Sequence, residues 1–246
     1  MEAFDDHFTY PVTPQHLRPT TLRYPLLVVD VETHDWLRDT VDVWGTGRFG
    51  HKTGSAWETL AYQRIVQISW VIYHSDGSNT PRSSYVYGSD RVVHPLATKH
   101  HGISNDEVWA HGHAIEVVLG EFIADCAQLQ QDGGQLAAYA IEFDATIIYC
   151  ELERIPELRH HCPLIESLAI SGLCVAQAAA KKTGWKVPHS TPIDYYYLSL
   201  QHAWTRYVAL PVSRPRDRYL HGRWDQKLAH NSDYDIAKAL ELALHL

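Results

Sequence analysis

Five residues in three separated segments have types and spacing suited to hydrolysis at bound cations. LLVVDVET carries Asp30 and Glu32, AAYAIEFDATII carries Asp144, and LAHNSDYDIAKAL carries His230 and Asp235. Side chains alternate across a strand, so Asp30 and Glu32, two positions apart, point to one face and can share a cation. Carboxylates about 4 Å apart repel by roughly 4 kcal/mol at an effective dielectric of about 20, so a fold that gathers four of them calls for a divalent cation between them. An all-oxygen ligand set favours Mg²⁺ or Mn²⁺ over zinc. His230, just upstream of Asp235, can reach a water held on the metal, and an imidazole titrates close to neutrality, as a general base requires.

These residues need particular elements to bring them together. Leu26 to Val29 form an uncharged apolar run, which suits a strand buried on both faces in the middle of a sheet. Asp144 opens the apolar stretch ATIIYCEL, read as a helix from about Phe143 to Arg154 that follows the strand LAAYAI. DYDIAKALELAL has apolar residues at helical spacing, which sets Asp235 near the start of the C-terminal helix and His230 at its approach. IVQISWVIY, the turn HSDGSNTP and SSYVYGS read as an antiparallel hairpin. Helical spacing also marks AIEVVLGEFIADCAQL, SGLCVAQAAAKKTG and IDYYYLSLQHAWTRYV. Strands and helices that alternate after three initial strands predict an α/β architecture, a mixed central sheet with helices packed on it.

The three segments resemble, in order, the Exo I, Exo II and Exo III motifs of the DEDD 3′–5′ exonuclease superfamily. The spacing H-x-x-x-x-D, here His230-Asn231-Ser232-Asp233-Tyr234-Asp235, is similar to that of its DEDDh branch. The resemblance runs from about Tyr24 to Leu246; YQRIVQISWVIY is similar to the family's second strand and HGISNDEV to its T-G-I-T/S segment before the next helix. It implies a ribonuclease H-like fold, with three antiparallel strands leading into parallel strands flanked by α-helices. It also implies a two-metal hydrolysis that releases nucleoside 5′-monophosphates from a single-stranded 3′ end of DNA or RNA. Asp30, Glu32 and Asp235 would hold one Mg²⁺ or Mn²⁺, Asp30 and Asp144 a second, and His230 would be the general base. Thr33, His34 and Phe143 are the candidate contacts to the terminal nucleotide. Two departures stand out: the family's H-N-x-x-F-D is replaced by Tyr139-Ala140-Ile141-Glu142-Phe143-Asp144, and His101 occupies the position before Gly102 where threonine is usual.

The chain has 246 residues, enough for one such domain over residues 24–246 behind an arm at 1–23. With 45% hydrophobic residues, 8 Trp and 14 Tyr, a disordered chain is excluded. The acidic start MEAFDDHF and the absence of a long apolar run predict a soluble, intracellular protein without a membrane segment. Its net charge of −8 argues against coating a duplex, so contacts to nucleic acid should be local. Arg214, Arg216, Arg218, Arg223 and Lys227, just before His230, form a basic run that can track phosphates or lie solvated at the surface. An insertion at about 33–63 carries Trp36, Trp44 and Trp57, which can stack on an unpaired base or seal the loop onto the core. Scattered Cys126, Cys150, Cys162 and Cys174 read as buried thiols, and the pairs His111/His113 and His160/His161 lack the spacing of a zinc module. Two further readings remain open: a non-catalytic nucleic-acid-binding or scaffold domain of this fold, and a proofreading or processing subunit with protein partners.

Overall fold

The computed structural model describes residues 21–35, 62–184, 198–209 and 230–246. The arm, the insertion with its three tryptophans and the basic run from Arg214 to Lys227 lie wholly or mostly outside these residues. Six strands form one mixed sheet: β1 (Leu26–Thr33), β2 (Ile65–Tyr73), β3 (Asn79–Tyr87), β4 (His113–Ala114), β5 (Gln135–Ala138) and β6 (Leu173–Cys174), in the order β4-β3-β2-β1-β5-β6. β1, β2 and β3 are antiparallel neighbours, whereas β5 joins β1 and β6 joins β5 in parallel. The expected mixed α/β sheet, three antiparallel strands leading into parallel ones, is therefore present.

The α-helices that lie among the described residues are α1 (Pro95–His101), α2 (Asn105–His111), α3 (Ile115–Gln131), α4 (Ile141–Arg154), α5 (Cys162–Ile170), α6 (Val175–Thr183), α7 (Leu200–Trp204) and α8 (Ser232–His245). β1 is buried on both faces, as its apolar run predicts. Leu27, Val29 and Val31 pack into one core with Phe122 of α3, Ile148 of α4 and Ile165 of α5. Leu26 and Val28 face a second core with Val175 of α6, Trp204 of α7 and Leu242 of α8. Each fully buried aliphatic side chain of this kind contributes roughly 1.5–3 kcal/mol, so β1 is held firmly from both faces.

Several boundaries differ from the sequence expectation: β3 begins at Asn79, inside the stretch HSDGSNTP read as a turn, and Leu198 and Ser199 precede α7 rather than belong to it. The strand LAAYAI ends at Ala138, and Ile141 already belongs to α4, because the Ala140 carbonyl accepts from the Phe143 amide at 2.7 Å and so starts the helix. Within SGLCVAQAAAKKTG, Leu173 and Cys174 form β6 against Ala137 and Ala138 before α6 begins. A short apolar run reads alike in a helix and in a buried strand, and here pairing with β5 decides it. All four cysteines are free and buried.

The far end of β1 and β2 is tied to α4 by Glu151, which is fully buried. Its Oε1 accepts from the Ile65 amide at 2.9 Å, from Arg91 Nη1 at 2.9 Å and from Arg64 Nε at 3.2 Å. Arg91 is itself only 2% exposed. A buried guanidinium left without its carboxylate is costly, so Glu151→Ala should lower the unfolding free energy by about 3–5 kcal/mol in a urea titration. A change below about 0.5 kcal/mol, the size of an ordinary surface substitution, would show that this hub does not hold the strand ends.

Candidate active site

β1 changes chemistry along one face. Leu26 and Val28 are apolar and sit in the second core; Asp30 and Glu32 continue the same face past its edge, half buried. In antiparallel register, Asp30 lies opposite Ser69 and Glu32 opposite Gln67, and the pairing shifts between Glu32 and Thr33. β5 pairs with β1 only from Leu26 to Val28, so beyond that point β1 has an open edge. Asp144 enters there: it lies in the first turn of α4, is 2% exposed, and its Oδ1 accepts from the Val31 amide at 3.2 Å. Asp235 arrives from the other side in the first turn of α8. Carboxylate oxygens of Asp30, Glu32 and Asp235 all lie within 4.8 Å of one another. The acids picked from the sequence thus converge, with Asp144 close enough for its charge to act on Asp30 and Glu32.

Packing like charges this way has an electrostatic consequence. Burial, and then repulsion from Asp144, Glu32 and Asp235, holds the Asp30 carboxyl well above the usual range. Burial followed by repulsion from Asp235 and Asp144 does the same to Glu32. Asp144 is pushed up to about 8 by burial, against the opposing Val31 amide, and Asp235 to about 7 by burial, against the His230 amide. Asp235 Oδ1 is buried without a hydrogen-bond partner among the described residues. An orphaned carboxylate oxygen beside two further carboxylates fits a hard divalent cation, and the oxygen-only set suits Mg²⁺ or Mn²⁺.

His230 precedes α8 with a left-handed φ of 62°, a conformation that histidine adopts more readily than most residues. Its amide donates to Asp235 Oδ2 at 3.2 Å, so the five-residue spacing closes a small loop at the helix start. Partial loss of water around the ring lowers its pKa below the ordinary imidazole value. Its ring rests against that of His100, with centroids 3.7 Å apart.

Other candidate residues fall in different places. Thr33 is buried and its hydroxyl donates to the Asp35 carbonyl at 3.3 Å. His34 holds the exit of β1: its Nδ1 accepts from the Arg64 amide at 3.2 Å and its carbonyl from the His94 amide at 2.7 Å. Phe143 is partly buried against the first core, one residue from Asp144. Arg214, Arg216, Arg218 and Arg223 lie outside the described residues. Among those described, no group of histidines or cysteines joins the acids as a second potential metal cluster.

Sequence reasoning missed the device that seats α8. Ser69, fully buried beside Asp30, pairs with the buried Ser232 hydroxyl at 2.5 Å, contacts Asp233 Oδ1 at 2.6 Å and Ser83 at 2.9 Å. Ser232 and Asp233 open α8, so this polar cluster sets how closely Asp235 approaches β1. The available signal was the polar alternation of Gln67 and Ser69 on the strand face shared with Asp30.

No protein-family profile and no curated protein matches the chain. Solved structures do. An exonuclease I structure described as suggesting how processivity is achieved aligns with a TM-score of 0.54 at 16% identity, over 88% of this chain and 40% of that one. E. coli exonuclease I in complex with a dT13 oligonucleotide gives 0.54 at 16% identity, over 89% and 40%. A product-bound exonuclease I gives 0.52 at 16% identity, over 89% and 43%. The chain has the fold of these nucleases, ribonuclease H-like, and spans about 40% of their length.

The raised acids make a pH prediction. Between about pH 4 and about pH 8 the folded acid cluster binds more protons than the unfolded chain, so its contribution to stability falls as pH rises. His100, lowered to about 4, and the lowered His101 and His230 act oppositely below about pH 6.5, where the unfolded chain binds more protons. The decline should therefore be cleanest from about pH 6.5 to 8 without metal. Cations bind the deprotonated carboxylates, so the gain in Tm on adding Mg²⁺ or Mn²⁺ should grow over the same interval. Differential scanning fluorimetry with and without metal measures this; a gain that does not change with pH would remove these acids as the ligands.

Proposed function

We propose that this protein is a metal-dependent 3′–5′ exonuclease that shortens single-stranded nucleic acid and releases nucleoside 5′-monophosphates. The convergence of Asp30, Glu32 and Asp235, with Asp144 coupled to them across β1, carries the proposal. The histidine at fixed spacing from Asp235 and a fold shared with exonuclease I support it. Asp30, Glu32 and Asp235 would hold one Mg²⁺ or Mn²⁺ and Asp30 with Asp144 a second. Cations held there would supply the charge that lowers the pKa of an attacking water and offsets the negative charge of the phosphate.

The chain's own groups do the rest. His230, neutral at physiological pH because its pKa is lowered, takes the proton of the attacking water on a ring nitrogen. The Val31 amide keeps Asp144 turned toward the end of β1, and the His230 amide keeps one oxygen of Asp235 fixed while Oδ1 is left for the cation. Thr33, His34 and Phe143 border the acids and would frame the terminal nucleotide; the basic run Arg214, Arg216, Arg218 and Arg223 would bind the phosphates behind it.

With Mn²⁺ or Mg²⁺, 3′-hydroxyl single-stranded DNA or RNA should be shortened stepwise, and EDTA should abolish the reaction. His230→Ala should lower kcat by about 10² to 10⁴ while the metal-dependent rise in Tm persists. Asp30→Asn should remove both. Replacing Arg214, Arg216 and Arg218 by alanine should raise KM with less effect on kcat. Undiminished turnover in chelator, or by the His230 variant, would refute the assignment; cutting of circular single strands would make the enzyme an endonuclease.

A further inference from the structure

The last turn of α1 carries two consecutive histidines, and both reach the site. α1 stops at Gly102, whose φ of 80° is a left-handed C-cap that turns the chain sharply. The buried His101 uses this turn: its Nδ1 accepts from the Ile103 amide at 3.0 Å, and its Nε2 lies 3.2 Å from the Thr33 carbonyl. An Nδ1 that accepts leaves the proton on Nε2, so the second contact is a donation to Thr33. His101 thereby bolts the end of α1 to β1 one residue beyond Glu32. With that turn fixed, the neighbouring exposed His100 ring lies against His230, centroids 3.7 Å apart and planes 34° apart.

We propose that His100 is a positioning residue for His230: the His100 imidazole forms a wall that holds the His230 ring in one orientation beside the acids. The inference rests on His230 being the general base. His230 stands in a left-handed turn ahead of α8, where, among the described residues, Asp235 holds its amide and the His100 ring is the group that packs on its side chain and can select a rotamer. Flat rings in contact provide one at little cost. Partial loss of water around the ring, and then the neighbouring His230 and His101, lower His100 to about 4, so at neutral pH it is uncharged and a poor proton acceptor. Its contribution is therefore packing rather than proton transfer.

Rates at saturating Mn²⁺ and single-stranded oligonucleotide would be compared for the wild type, His100→Ala, His100→Phe, His230→Ala and the double alanine variant. His100 is exposed, so its truncation should leave the fold intact, with Tm as the control. His100→Ala should slow kcat by about 10- to 100-fold, the range a slightly misplaced group produces, with KM and the Mn²⁺ half-saturation unchanged. His100→Phe, which keeps a flat ring, should stay within about 3-fold of wild type, and the double variant should be no slower than His230→Ala. Full activity of His100→Ala beside a slow His230→Ala would overturn this inference alone. A phenylalanine variant as slow as alanine would do so too, as would losses that multiply in the double variant. A fast His230→Ala would instead overturn the general-base assignment on which it rests.

Discussion

Repulsion among carboxylates is the constraint around which this molecule is organised. Asp30, Glu32, Asp144 and Asp235 all have pKa values raised by burial, and the first three are raised further by their acidic neighbours. No chain gathers such groups unless its other contacts force the approach. The force comes from two apolar cores clamping β1 on both faces, so that the strand can end in acids without being pushed from the sheet. The protein spends hydrophobic stability to hold an arrangement that favours a divalent cation.

Topology then decides which acids meet. Because β5 stops pairing at Val28, the Val31 amide on the open edge of β1 is available to the Asp144 carboxylate. This is the crevice at the carboxyl ends of parallel strands where open α/β sheets bind ligands. α8 approaches the opposite side and is seated by Ser69, Ser232 and Asp233 rather than by apolar packing alone. A directional hydrogen-bond clamp suits this position, since Asp235 must be placed to within a fraction of an ångström while an apolar contact tolerates sliding.

The parts legible in the sequence were those with local periodicity. Alternation in LLVVDVET put Asp30 and Glu32 on one face, and helical spacing in DYDIAKALELAL placed Asp235 at a helix start; both features are present. β4 and β6 were not legible, because two-residue strands leave no period and exist only through their partners Val86 and Ala137. The Glu151 hub, the serine clamp and the His100–His230 stack were hidden for a related reason. Each joins residues far apart in the chain through charge or ring geometry, and such pairings leave no trace in spacing.

The two positions at which the sequence differs from the motifs it resembles have physical roles in the fold. Tyr139, in place of the motif histidine, donates its hydroxyl to the Leu198 carbonyl, while its own carbonyl accepts from the Ala176 amide at 2.9 Å. One residue thus joins the end of β5 to the start of α6 and to the approach of α7, a structural task placed next to Asp144. His101, in place of threonine, spans from the turn after α1 to Thr33 with both ring nitrogens engaged. A threonine side chain is shorter and would carry a single hydroxyl across that gap. The larger ring at 101 also makes the last turn of α1 a rigid platform, which is the condition for the residue beside it to reach His230. Both residues therefore brace the ground around the acids, Tyr139 from the end of β5 and His101 from the turn after α1.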